Sequence, residues 1–162
     1  MYLPFAQMPS YSRVWVYQAA RKFEPLEEEF IRKKMEGFCE GWNTHGNRMP
    51  TSFEIMDHQI LILAVDESQL GASGCSIDSS VRILREIEMQ LGINLTDQGK
   101  ISLKNKLGNV SVIPALGVKS KVSSGEITEE LEVINPLIQT KADLQNLWQP
   151  ILKSWLNKYF PN

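Results

Sequence analysis

Ile60-Leu-Ile-Leu-Ala-Val65 is the stretch that decides the fold. It is the longest strongly apolar run in the chain, bounded by Asp57-His58 before it and Asp66-Glu67 after it. A bilayer span takes about 20 apolar residues, so this run is far too short to cross a membrane. It reads as a β-strand apolar on both faces, and such a strand lies centrally in its sheet.

Working outward toward the N-terminus, Asp57-His58 turns the chain into a strand over residues 52–56, with Phe53 and Ile55 on its apolar side. Asp favours such turns through its own backbone bonding, a simpler reading than an acid–base pair at Asp57 and His58. Residues 13–18 alternate, Val14 and Val16 on one side, Trp15 and Tyr17 on the other, as a β-branched and aromatic strand does. Pro25 opens a helix within the acidic cluster Glu24, Glu27, Glu28 and Glu29. Ile31, Met35, Phe38 and Trp42 follow at helical spacing, with Cys39 on the same apolar side. This helix ends near Asn43, before the turn-rich His45-Gly46-Asn47.

Toward the C-terminus, Gly71-Ala-Ser-Gly-Cys-Ser-Ile-Asp78 is a loop from which Cys75 or Ser76 opens a second helix. Ile77, Val81, Leu84, Ile87 and Leu91 form its expected buried stripe, and Gly92 stops it. Residues 100–104 follow as a strand with Ile101 and Leu103 inward. The order is β-α-β-β-α-β over about residues 11–106, which predicts an α+β fold with a ferredoxin-like core. A mixed sheet of different topology shares that order. Residues 107–162 read as a strand and helix extension of the same single domain, 1–162. Leu107-Gly108-Asn109 turns a hairpin into residues 110–113, residues 114–122 form a short helix, and 131–134 a strand. Leu144, Trp148, Ile151 and Trp155 then predict a helix from Lys141, kinked at Pro150.

The chain has 162 residues, 43% hydrophobic and 22% charged, which excludes a disordered, collagen-like or coiled-coil protein. A net charge of -2 argues against nucleic acid as a partner. Residues 98–125 hold Lys100, Lys104, Lys106, Lys119 and Lys121 and no acid. That segment reads first as solvated surface and second as a contact for an acidic partner. Two cysteines, Cys39 and Cys75, are too few for a disulfide scaffold, and with His45 and His58 they lack close zinc-ligand spacing. No metal and no cofactor are expected. The N-terminus has no basic start and no apolar run, so the expected location is cytoplasmic, with reduced thiols and no membrane contact.

The candidate site is the loop between the apolar strand and the second helix. First-turn N–H groups of a helix lack partners and, with the helix dipole, attract anions. Ser73, Gly74, Cys75, Ser76 and Asp78 are therefore the candidate binding residues for a small anion or a partner's acidic group. Cys75 is also the one candidate nucleophile or redox sensor, because a helix N-terminus stabilises a thiolate. Opposing this, Ser73 or Ser76 suits a helix cap, Asp78 competes with an anion for the same helix end, and free Cys is often simply buried. Asp66-Glu67 adds two carboxylates at the strand end nearby.

Known catalytic patterns are absent. Arg82 lies seven positions after Cys75, one too many for the C-x5-R of cysteine phosphatases. The extra residue turns the arginine about 100° around the helix. Val118 precedes Lys119-Ser120 where a Walker A loop needs glycine. The aromatic tail, Trp148, Trp155, Tyr159 and Phe160, suits core packing or the anchors of a homodimer.

Three stretches carry a resemblance: Met1-Tyr-Leu-Pro-Phe5 with Ser12-Arg-Val-Trp-Val-Tyr17, Gly71 to Asp78 as quoted, and Leu137-Ile-Gln-Thr-Lys141 with Trp148 and Ser154-Trp155. Over nearly its whole length the chain resembles a family of short bacterial proteins of unassigned function, often labelled ABC transporter ATPases. The resemblance implies no substrate or catalytic residue, and the phosphate loop such an ATPase requires is the one Val118 breaks. The expected function is a non-enzymatic binding or interaction module. The alternatives are a thiol-dependent enzyme or redox sensor at Cys75, and a homo-oligomeric scaffold.

Overall fold

Residues 1–161 are described by a computed structural model. In chain order the elements are β1 (Arg13–Gln18), α1 (Pro25–Gly41), the hairpin of β2 (Asn43–Thr44) and β3 (Asn47–Arg48), β4 (Thr51–Met56), β5 (Ile60–Val65) and α2 (Gly74–Leu91). Then come β6 (Lys100–Lys104), β7 (Val110–Pro114), α3 (Val118–Ser123), β8 (Glu132–Ile134) and β9 (Trp148–Pro150). The fold is α+β, with antiparallel sheets.

Local chemistry sets the helix ends. Pro25 begins α1, and Glu24 and Glu27 form a capping box in which Glu27 accepts the Glu24 N–H at 2.8 Å. Glu27 also holds the Arg21 guanidinium through both oxygens at 2.8 Å. The buried face of α1 is Ile31, Met35 and Cys39, spaced by four. Ser73 caps α2, and Gly92 ends it in the left-handed region at φ 63°, donating to Glu88 O at 2.8 Å. The buried face of α2 differs from the expected stripe. Ser76, Ser80, Leu84 and Ile87 are buried, whereas Ile77, Val81 and Leu91 are only half-buried. Serine hydroxyls bonded within the helix, such as Ser80 to Ile77 O at 2.6 Å, let a polar strip face inward.

β5 is central, as its sequence predicts, with β1 and β4 antiparallel on either side. Its alternation serves two cores. Leu61, Leu63 and Val65 pack with Tyr17, Phe53 and the apolar faces of α1 and α2. Ile60, Ile62 and Ala64 pack on the other face with Met8, Val14, Ile134 and Leu147. The C-terminal extension thus covers the face of the sheet that the helices leave bare. Asp57 and His58 form the hairpin turn, both at positive φ (54° and 55°).

The fourth strand of the core goes elsewhere. In a ferredoxin-like sheet β6 would lie against β1; here β6 is central in a second sheet ordered β7-β6-β8-β9. Side chains rather than a ladder join the two sheets. Gln18 Nε2 donates to Lys100 O at 3.3 Å, and Ser102 Oγ donates to Gln18 Oε1 at 2.6 Å. The start of β1 is instead met by the segment around Thr140, with Val14 N–H donating to Gln139 O and Lys141 N–H to Ser12 O, both at 2.9 Å.

The helix expected from Lys141 is not formed. Residues Ala142–Asn146, Ile151–Lys153 and Trp155–Tyr159 are 3-10 turns, and Trp148–Pro150 between them is strand β9. Pro150 cannot continue a helical ladder, and it is tolerated at the sheet edge, where β9 has β8 as its strand neighbour. Trp155, Tyr159 and Phe160 pack on the second sheet's own core, around Leu103, Val133, Ile151 and Leu156. Trp148 packs on the shared core, and all four tail aromatics are half-buried. Among the described residues no helix is long and apolar enough to cross a membrane.

Candidate functional site

The 71–78 loop is held by its own polar groups. Ala72 N–H donates to Glu67 Oε2 at 2.7 Å and Ser73 N–H to Thr44 Oγ1 at 3.0 Å. Ser73 Oγ accepts the Ser76 N–H at 3.1 Å and shares a 2.8 Å bond with Ser76 Oγ. Ser76 Oγ donates to Asn43 O at 2.7 Å, and Trp42 Nε1 donates to Ser76 O at 2.7 Å. The two serines expected to greet an anion therefore cap α2 and tie it to the β2–β3 hairpin. The N–H groups of Gly74 and Cys75 have no protein acceptor among the described residues, and both residues are exposed.

A cleft of about 640 Å³ opens beside them, between α1, the start of α2 and the β2–β3 hairpin. Its floor is a bare strip of α1, because Gly37 and Gly41 are one helical turn apart and a Cβ at either would meet nothing within 4 Å. Phe38 and Trp42 form an aromatic wall, their ring centroids 5.3 Å apart. Cys75, Ser79 and His45 complete the rim. Of the expected site residues, Ser73, Cys75 and Ser76 line the cleft. Gly74 and Asp78 are exposed and lie outside the lining, so the Asp78 charge is not in the cleft.

The two cysteines differ as their surroundings dictate. Cys39 is fully buried on the inner face of α1, and burial pushes its thiol up to about 12. Cys75 is free and exposed on the cleft rim. His45 reaches the same cleft from the hairpin turn, where it sits at φ 49°. The sequence placed His45 in a turn and Phe38 and Trp42 on the helix's apolar side, and assigned none of them, nor Gly37 and Gly41, to the site. The legible signal was the Gly37–Gly41 spacing, a helix-weakening pair inside an otherwise regular helix.

Other candidates are structural. Asp66 accepts the Ser68 N–H at 2.9 Å, and Glu67 holds Ala72 and lies 3.6 Å from Arg13, so the carboxylate pair shapes its own loop. His58 Nδ1 is 2.7 Å from Glu28 Oε1, and Asp57 receives Lys104 and Trp148. The basic segment is divided, with Lys100 against carbonyl oxygens, Lys104 on Asp57 and Lys121 beside Glu126 at 3.5 Å. Among the described residues no group of three or more His, Cys, Asp and Glu gathers to hold a metal ion. No family model, curated protein or solved structure matches the chain.

Proposed function

We propose that this protein is a non-enzymatic binding module whose cleft between α1 and α2 takes a carboxylate or phosphate group carried on an apolar body. One observation carries the reading: Cys75, whose helix N–H is unspent, borders a cleft with an aromatic wall and a glycine floor, and the unspent N–H of Gly74 is next to it in the chain. Small-molecule sites combine a largely apolar lining with a few convergent polar groups. The anion sits on the first-turn N–H groups and the apolar body lies along Gly37 and Gly41.

The test is a titration of the 15N-labelled protein with inorganic phosphate, phenyl phosphate and benzoate, read by amide shifts. Shifts at Gly74 and Cys75 with all three, and at Gly37 and Gly41 with the aryl compounds alone, support the reading. Gly37→Leu fills the floor and abolishes the aryl-specific response. Unmoved Gly74 and Cys75 amides at millimolar concentration of every probe contradict it.

A second reading, redox sensing at Cys75, is favoured by the presence of His45 on the same rim. It expects peroxide to oxidise Cys75 quickly and His45→Gln to slow that reaction at least tenfold. An unchanged rate argues against it. In either reading the protein is a cytoplasmic relative of the short bacterial proteins it resembles. The series β1, α1, β4, β5, α2 and β6 is a ferredoxin-like core whose last strand has turned into a second sheet.

A further inference from the structure

β1 has an edge that the fold does not finish. Its odd residues bond β5, as the register and the Ala19 N–H to Gln59 O bond at 2.9 Å fix, so its even residues point to the other side. On that side Val14 N–H is spent on Gln139 O, and Lys100 Nζ reaches Gln18 O. Among the described residues Val14 C=O, both main-chain groups of Val16 and the Gln18 N–H have no protein partner. Gln139 N–H, which would complete the ladder to Val14, is instead on Asp143 Oδ2 at 3.0 Å.

These groups lie along a groove of about 340 Å³ between the two sheets. The far wall carries Ile101, Ile134, Pro136, Ile138 and Trp155, with Gln98 and Asn135 also in the lining. Trp155 Nε1 is buried with no acceptor. The groove has one charged lining residue, Lys100, and no acid. Its ammonium bonds Asn94 Oδ1 at 2.8 Å and backbone oxygens, with no carboxylate within ion-pair distance among the described residues. Burial holds that ammonium below the ordinary lysine value, partly opposed by the more distant charges of Asp97 and Glu88.

We propose that this groove docks an extended acidic segment of a partner protein, which adds to β1 as a short strand and sets a carboxylate beside Lys100. Main-chain pairing supplies the affinity, as in other strand additions, and alternate side chains meet the far wall. Charge complementarity selects the occupant, because a cation with no carboxylate at ion-pair distance, in a groove without an acid, favours a carboxylate over a neutral or basic segment. The groove shares no lining residue with the Cys75 cleft, so either site can fail without the other.

The test uses the whole protein and a blocked pentapeptide, acetyl-Val-Thr-Val-Glu-Val-amide, with amide hydrogen exchange at Val16 and Gln18 as readout. The peptide should slow exchange at both amides at least tenfold. A version N-methylated at alternate amides should lose the effect, and a Glu-to-Gln version should bind at least fivefold more weakly. The peptide variants leave the protein untouched, so no folding defect confuses the result. Equal binding of the N-methylated peptide, or no slowing at millimolar peptide, overturns the proposal. Protection that rises with protein concentration alone would make a second copy the occupant and overturn it equally.

Discussion

Trp148 donates its indole N–H to Asp57 at 2.8 Å, joining residues ninety-one positions apart. The other carboxylate oxygen of Asp57 takes Lys104 Nζ at 2.8 Å. One turn residue thus holds β9 and β6 of the second sheet against the β4–β5 hairpin of the first. Trp148→Phe removes one donor and should cost about 1–2 kcal/mol. Asp57→Ala strands both donors and places alanine at φ 54°, so its cost should be about 2–4 kcal/mol. Urea denaturation measures both, and equal, negligible losses would show that the sheets are held without this contact.

Glu27 is a carboxylate whose titration the fold shifts strongly. Arg21, then the Glu24 N–H, pull its carboxyl from the ordinary value near 4.5 down to about 2. A depressed folded value means that its contribution is complete above the ordinary value and is lost as pH falls from about 5 toward 2. Glu27→Gln should therefore lower stability at neutral pH by about 1 kcal/mol, the usual worth of a helix cap. The gap to the parent protein should close by pH 2. A gap independent of pH would place the effect elsewhere.

Two glycines separate conformational need from open space. A Cβ at Gly37 or at Gly92 meets nothing within 4 Å, but Gly92 alone has positive φ, 63°. Gly37→Ala should stabilise by about 0.5–1 kcal/mol through helix propensity. Gly92→Ala should destabilise by about 1–2 kcal/mol through left-handed strain. Thermal melts giving the same sign for both would contradict the helix-end geometry.

Much of the fold was legible because it rests on short-range pattern. The doubly apolar Ile60–Val65, the Asp57-His58 turn, Pro25 and Gly92 each act within a few residues. What escaped depends on distant partners. No local signal says that Gln18 will meet Lys100 and Ser102 by its side chain instead of extending a ladder. Leu144, Trp148, Ile151 and Trp155 fit a helical period, yet Pro150 and pairing with β8 make β9 the better use of Trp148. At the candidate site the exposed Cys75 and the Ser73 cap were readable. The arrival of His45, Phe38 and Trp42 was not, because α1 and the β2–β3 hairpin bring them from distant parts of the chain.

The central claim, that the cleft beside Cys75 is a ligand site, is tested most directly by thiol alkylation followed by mass spectrometry. Cys39, buried and raised to about 12, is the internal reference and should label only on unfolding. Cys75 should label rapidly in the native protein. Phenyl phosphate should slow it at least fivefold in the parent and not in Gly37→Leu. Labelling of Cys75 that no carboxylate or phosphate slows, or that slows equally in the filled variant, would contradict the account and leave the 71–78 loop as a helix cap.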